Sequence, residues 1–137
     1  MTAVATSIDG KVATVRFDRG GKANALNAEL IRELEAAAIQ VGRRADVASV
    51  VLTGAATIFA AGVDLKDEQL WKTGAGDVER AQAMNAGARM TAAWRQVPQP
   101  VIAAIEGPAI GGGAILALTA DFRVMAASSY MRFPEVR

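Results

Sequence analysis

Two short apolar runs, each leading through a glycine-containing turn into a stretch of small residues, limit most strongly what this chain can fold into. Val50 to Thr53 closes on Gly54 and leads to Ala60-Ala61-Gly62, and Val101 to Ile105 passes through Glu106-Gly107-Pro108 to Gly111-Gly112-Gly113. Short runs rich in Val and Ile, bounded by turn residues, read as strands buried on both faces. The second run begins about 51 positions after the first, and repetition of strand, turn and helix predicts a superhelical stack of similar units.

The remaining elements fit around these strands. Ala3 to Ile8, a turn at Asp9-Gly10 and Lys11 to Asp18 predict a hairpin, with Ala13, Val15 and Phe17 on one apolar face. Asn27 stands where an N-cap is needed, and Leu30, Ile31, Leu34, Ala38 and Val41 recur at helical spacing up to about Arg44. A second helix is predicted from Asp77 to about Val97, with Ala81, Met84, Ala88 and Trp94 as its buried stripe and Pro98 and Pro100 ending it. The glycines at 111–113 open a third helix through Thr119, and Asp121 to Ala126 is a fourth apolar run.

Composition removes whole classes of chemistry. The 137 residues, 52% hydrophobic, suffice for one domain with an apolar core. With 15 basic and 14 acidic residues and no basic run, there is no footprint for nucleic acid. No stretch approaches the ~18 consecutive apolar residues of a membrane span, and the N-terminus lacks a secretory pattern, so a cytoplasmic location is expected and no membrane partner is. The chain holds neither Cys nor His. Disulfides, thiolate nucleophiles, His-based triads and the usual zinc sites are therefore excluded, and proton chemistry falls to Asp, Glu, Lys or Tyr130.

A helix opening on small residues leaves its first N–H groups unpaired and reachable, in a place favourable for negative charge. Gly111 to Gly113 fit that description, or they serve close packing of helix on sheet. Ala114-Ile115 stand where a phosphate loop would carry Lys and Ser or Thr, and the glycine spacing misses the dinucleotide fingerprint. The turn Phe59 to Asp64 also follows a buried strand. Two such turns at the ends of successive strands can aim two N–H donors at one oxygen, the arrangement that stabilises an enolate or a tetrahedral oxyanion.

Asn24-Ala25-Leu26-Asn27, Phe59 to Leu65, Pro100 to Gly107 with Gly111 to Gly113, and Phe133-Pro134-Glu135-Val136 resemble, in order and at fitting separations, the successive signatures of the enoyl-CoA hydratase/isomerase (crotonase) family. The resemblance covers nearly the whole chain. It implies an α/β fold, the ClpP/crotonase superhelix of repeated β-β-α units, with residues 1–137 as the spiral core domain and the family's C-terminal helical part absent. It also implies an acyl-CoA thioester as substrate, coenzyme A being part of that substrate and no separate cofactor being needed. A homotrimer or hexamer is the expectation for a full-length member.

Carried over by position, the resemblance makes the Ala61 and Gly112 N–H groups the oxyanion hole. Ala60, Gly62, Val63 and Asp64 would line the acyl-CoA, with Gly111 beside Gly112. Lys22, Ala23 and Ala25, and the stretch Leu65-Lys66, would lie by the adenine and phosphates. Asp64 either does this or braces its loop.

Hydratases of the family use two glutamates. Here only Glu135, in the Pro-Glu motif, matches; the other position is Ile115. Hydration asks for a water held and deprotonated while a proton reaches the α-carbon, whereas moving a double bond between the 3,4 and 2,3 positions needs one base. The expectation is therefore an acyl-CoA enzyme with Glu135 as the single acid/base, isomerisation favoured over hydration. Other crotonase-type reactions and a catalytically silent acyl-CoA-binding protein are the alternatives, and Glu135 could instead be a solvated or salt-bridged residue beside Arg132 or Arg137. Asp67-Glu68 read as solvated helix charges, Glu106 as a turn or surface group, and Asp121 as a structural residue.

Overall fold

A computed structural model describes residues 2–71 and 76–134, without the side chains of residues 80, 83 and 84. Strand β1 (Val4–Asp9) pairs antiparallel with β2 (Val12–Phe17), Asp9 facing Val12. The connecting residues are thus Gly10 and Lys11, one position later than the sequence suggests, because Gly10 takes the positive φ of 59° that the turn needs.

From β2 the sheet grows in parallel through β3 (Ser49–Thr53), β4 (Val101–Ile105) and β6 (Phe122–Met125). Register places Ala13, Val50 and Val101 in one row and Val15, Leu52 and Ala103 in the next. All six are buried. A fully buried Val or Leu contributes about 1.5–3 kcal/mol, so these rows are a main source of the sheet's stability. Phe17 meets Phe59 edge to face, ring centroids 5.1 Å apart, at the end of the same core.

Helix α1 (Ala28–Gly42) begins where expected: the Asn27 side chain accepts the Leu30 N–H at 2.9 Å. All five residues of its predicted stripe are buried. Helix α2 (Asp77–Arg95) packs on α1. Its buried stripe is Ala86, Met90 and Trp94, spaced by four. Ala81 and Ala88, expected in that stripe, are exposed, and the side chain of Met84 lies outside the described residues. Alanine is compatible with either face, so the larger Met90 and Trp94 decide the rotation. No helix among the described residues is long and apolar enough to cross a membrane.

What makes the fold a superhelix is a second row of parallel contacts beyond the sheet. After β2 the chain passes Leu26, after β3 it passes Ala60 and Val63, after β4 it forms β5 (Ala109–Ile110), and after β6 it forms β7 (Met131–Arg132). Leu26 bridges Val63, Ala60 bridges Ala109, and β5 pairs with β7, each in parallel. The crossings are tight. A Cβ on Gly54 would collide with Phe59, and one on Gly107 with the Thr57 carbonyl, which accounts for glycine after β3 and after β4. Helix α3 (Gly112–Leu118) follows β5 directly.

Candidate functional site

The second row determines which backbone groups are free. Leu26 N–H donates to the Gly62 carbonyl at 2.7 Å and its carbonyl accepts the Asp64 N–H at 2.9 Å. In such a parallel bridge the intervening residue points its own N–H the other way. Val63 is that residue, and its N–H has no acceptor among the described residues.

On the far side stands the start of α3. Gly111, with φ 54°, turns the chain; its N–H donates to the Arg132 carbonyl at 2.8 Å, and its carbonyl accepts the Ile115 N–H at 2.9 Å. Gly112 N–H, as the first of the helix, has no acceptor among the described residues. The two free groups are neighbours: a Cβ built on Gly112 would lie 3.6 Å from the Val63 nitrogen and 3.2 Å from Val63 Cγ2. Gly112 and Gly62 therefore leave open a small space that any other residue would partly fill. Gly113 has a different role, since a Cβ there would collide with the Ala60 carbonyl. Of the two readings of the triple glycine, close packing applies at Gly113, while Gly112 leaves its space open.

The expected donor at Ala61 is corrected by this geometry. Its N–H already donates to the Ala23 carbonyl at 3.1 Å. That carbonyl is presented by an unusual turn in which Lys22, Ala23 and Asn24 all have φ near 50°. Three successive non-glycine residues in the left-handed region cost about 1 kcal/mol or more each, and buried Asn24 helps to hold them there. Its amide nitrogen donates to the carbonyls of Phe17 (3.1 Å) and Phe59 (2.8 Å), and its oxygen accepts the Arg19 N–H at 3.1 Å.

An open cleft of about 680 Å³, lined by Val63 but not by Gly112, gathers Lys22, Ala25, Ala61, Val63, Asp64, Leu65 and Lys66, seven of the residues singled out from sequence, with Arg19, Asn27 and Asp67. Ala60 is completely buried and has no surface to offer a ligand. Ala23 faces a separate cavity with Gly20, Gly21 and Ala55 to Ile58. Gly62 and Gly111 are buried supports of the turn rather than cleft walls. Glu135 lies outside the described residues.

Two carboxylates brace this region. Asp64 accepts Arg19 Nη1 at 2.9 Å through one oxygen and the Lys66 N–H at 3.0 Å through the other. Chiefly the Arg19 hydrogen bond, then that from Lys66, holds its carboxyl below the usual range. Asp67 accepts the Ala28 N–H at 2.6 Å and the Gln69 N–H at 2.9 Å, so it caps the first turn of α1 and is not the solvated helix charge expected. Asp121 accepts the Val101 N–H at 2.8 Å and fixes the start of β4, and Glu106 is a surface group 3.9 Å from Arg16. Arg19 and the capping role of Asp67 were missed from sequence; the signal available for Asp67 was its place at the end of a turn, three residues beyond Asp64.

The enoyl-CoA hydratase/isomerase family profile matches residues 7–137. A Mycobacterium leprae protein named "Probable enoyl-CoA hydratase echA6" is 39% identical over 127 residues, which are 90% of this chain and 47% of that protein. Among solved structures, the Bacillus anthracis enoyl-CoA hydratase superposes with a TM-score of 0.83 at 33% identity, covering 95% of this chain and 50% of that one. An enoyl-CoA hydratase/carnithine racemase from Magnetospirillum magneticum gives 0.87 at 32% identity, covering 98% and 50%. The chain spans about half the length of the relatives it matches. Spiral, paired turns and the profile spanning nearly every residue agree, and the chain belongs to the enoyl-CoA hydratase/isomerase family.

Proposed function

We propose that the protein binds an acyl-CoA thioester in the cleft and stabilises its enolate with the Gly112 and Val63 N–H groups, Glu135 moving the proton. The observation that carries this reading is the adjacency of two backbone donors without acceptors among the described residues, one of them on Val63, which lines a cleft bearing Lys22 and Lys66. The thioester oxygen takes up most of the charge as C2 is deprotonated, and fixed donors aimed at that oxygen are the largest electrostatic contribution such a site makes. Val63 replaces Ala61 in the donor pair because Ala61 N–H is committed to Ala23.

Neither lysine forms an ion pair among the described residues, and both suit the phosphates of coenzyme A. Ile115, on the first turn of α3, offers no second acid/base and is 46% exposed. Double-bond isomerisation follows as the favoured reaction: Glu135 takes the C2 proton of a 3-enoyl thioester, the electron pair spreads into a dienolate, and the same proton returns at C4. No water enters. The relatives' hydratase names support a second reading, hydration, in which water is activated without a carboxylate at position 115.

The test is to supply the full-length protein with trans-3-enoyl-CoA and, separately, trans-2-enoyl-CoA while following the conjugated thioester absorbance. Absorbance growing with the first and stable with the second supports isomerisation; loss with the second supports hydration. Silence with both, or full turnover by Glu135→Gln, rejects the single-glutamate mechanism and favours another acyl-CoA reaction or binding alone.

A further inference from the structure

We propose that the Arg19–Asp64 ion pair is a positioning device that sets the Val63 donor, an inference that rests on the thioester reading above. Val63 N–H is free and correctly placed only while the loop stays in register with Leu26. One nitrogen fixes that register from both sides: Arg19 Nη1 donates to the Ala25 carbonyl at 2.7 Å and to Asp64 at 2.9 Å. It thereby ties the residue before Leu26 to the residue after Val63.

Both side chains are largely withdrawn from water, at 10% and 18% exposure, so salt screens their attraction less than that of a surface pair. Charge-assisted bonds of this kind are also the stronger ones. Asp64 has both oxygens engaged, one by Arg19 and one by the Lys66 N–H. The carboxylate therefore acts on the loop and leaves the ligand to the backbone. Further along, the Asp64 carbonyl accepts Trp71 Nε1 at 2.9 Å, and Asp67 joins the same loop to the start of α1. These contacts hold the loop as a whole, whereas among the described residues the Arg19 contact spans the bridge itself.

A positioning role differs from a packing role in what it damages. Misplacing one donor weakens the hold on a thioester carbonyl more than the hold on free coenzyme A, which has no thioester. The experiment uses the full-length protein, free coenzyme A by calorimetry, and the coenzyme A thioester of 4-dimethylaminocinnamate, whose absorbance moves to the red when its carbonyl oxygen is polarised. Wild type is expected to shift the probe. Asp64→Asn and Arg19→Met should each lose at least half of that shift and, because both side chains line the cleft, weaken thioester binding about tenfold more than they weaken binding of free coenzyme A. Losses in the double variant should match either single one, as for two residues acting through one contact. Arg19→Lys, which keeps a charged donor, is the milder variant if the others do not fold, and should retain an intermediate shift.

A full red shift and wild-type affinity in the variants overturn the proposal. So do equal losses for coenzyme A and thioester, which mark packing of the whole cleft, and additive losses in the double variant. Absence of any shift in the wild-type protein removes instead the oxyanion reading beneath it, so the two failures are distinguishable.

Discussion

Leu26 and Val63 face each other across a parallel bridge in which Leu26 commits both of its backbone groups and Val63 commits neither among the described residues. The candidate site exists because of that asymmetry. A strand contact satisfies one edge of the loop and leaves the other edge without partners among the described residues.

Gly112→Ala places a methyl group in the space between the donors, 3.6 Å from the Val63 nitrogen, with the side-chain atoms Val63 Cγ2 at 3.2 Å and Leu26 Cδ1 at 3.4 Å nearest to it. The expected result is a folded protein whose turnover of acyl-CoA substrates falls about 100-fold or more, comparable with the loss of one oxyanion donor. Kinetics combined with a thermal melt check it; a melting temperature near wild type alongside lost activity is the predicted signature.

Gly113→Ala should show the reverse emphasis. Its Cβ would meet the carbonyl of Ala60, a backbone atom pinned by the Ile110 N–H at 2.9 Å. Overpacking against backbone costs about 1–3 kcal/mol or more, and a lower urea midpoint or insoluble expression is expected. A variant as stable as wild type would show that the α3 start can move.

Asn27→Ala removes the side-chain acceptor for the Leu30 N–H. Loss of an N-cap costs about 0.5–2 kcal/mol, and Asp67 continues to hold the Ala28 N–H, so a loss near the lower figure is expected. Urea denaturation of Asn27→Ala and Asn27→Ser measures this, with the serine variant expected to recover most of the difference.

Asp64 has a folded-state pKa below its ordinary 3.8. Its contribution to stability is therefore complete above that unfolded value and is lost as pH falls through the lower, folded one. The stability gap between wild type and Asp64→Asn should be constant from pH 7 to about pH 5 and close progressively below about pH 4. Denaturant midpoints across that range give the answer, and a gap that widens on acidification would contradict the sign.

Local signals in the sequence carried much of the fold. The hairpin, the Asn27 cap and the alternating face of Ala13, Val15 and Phe17 depend on neighbours along the chain and are legible there. The rotation of α2 was not, because Ala81 and Ala88 fit either face and α1 decides between them. Two-residue strands such as β5 and β7 leave no periodicity to read. The left-handed turn at Lys22 to Asn24 is equally silent, since none of its residues is glycine and the buried amide of Asn24 holds it from across the core. For the site, the cleft segments were legible as motifs. Which N–H in Ala61-Gly62-Val63 is free was not, because it depends on the register against Leu26 and on the carbonyl of Ala23, both distant in sequence.

Because the donors at Val63 and Gly112 are main-chain groups, no side chain encodes them. Exchanging Val63 for another residue reshapes a wall and preserves the N–H; short of proline, a point change cannot delete it. Position 115 has no such protection, since an acid or base there would have to be the side chain itself, and here that side chain is Ile115. On the proposed reading, a change at that one helix position can alter the reaction while both backbone donors are kept.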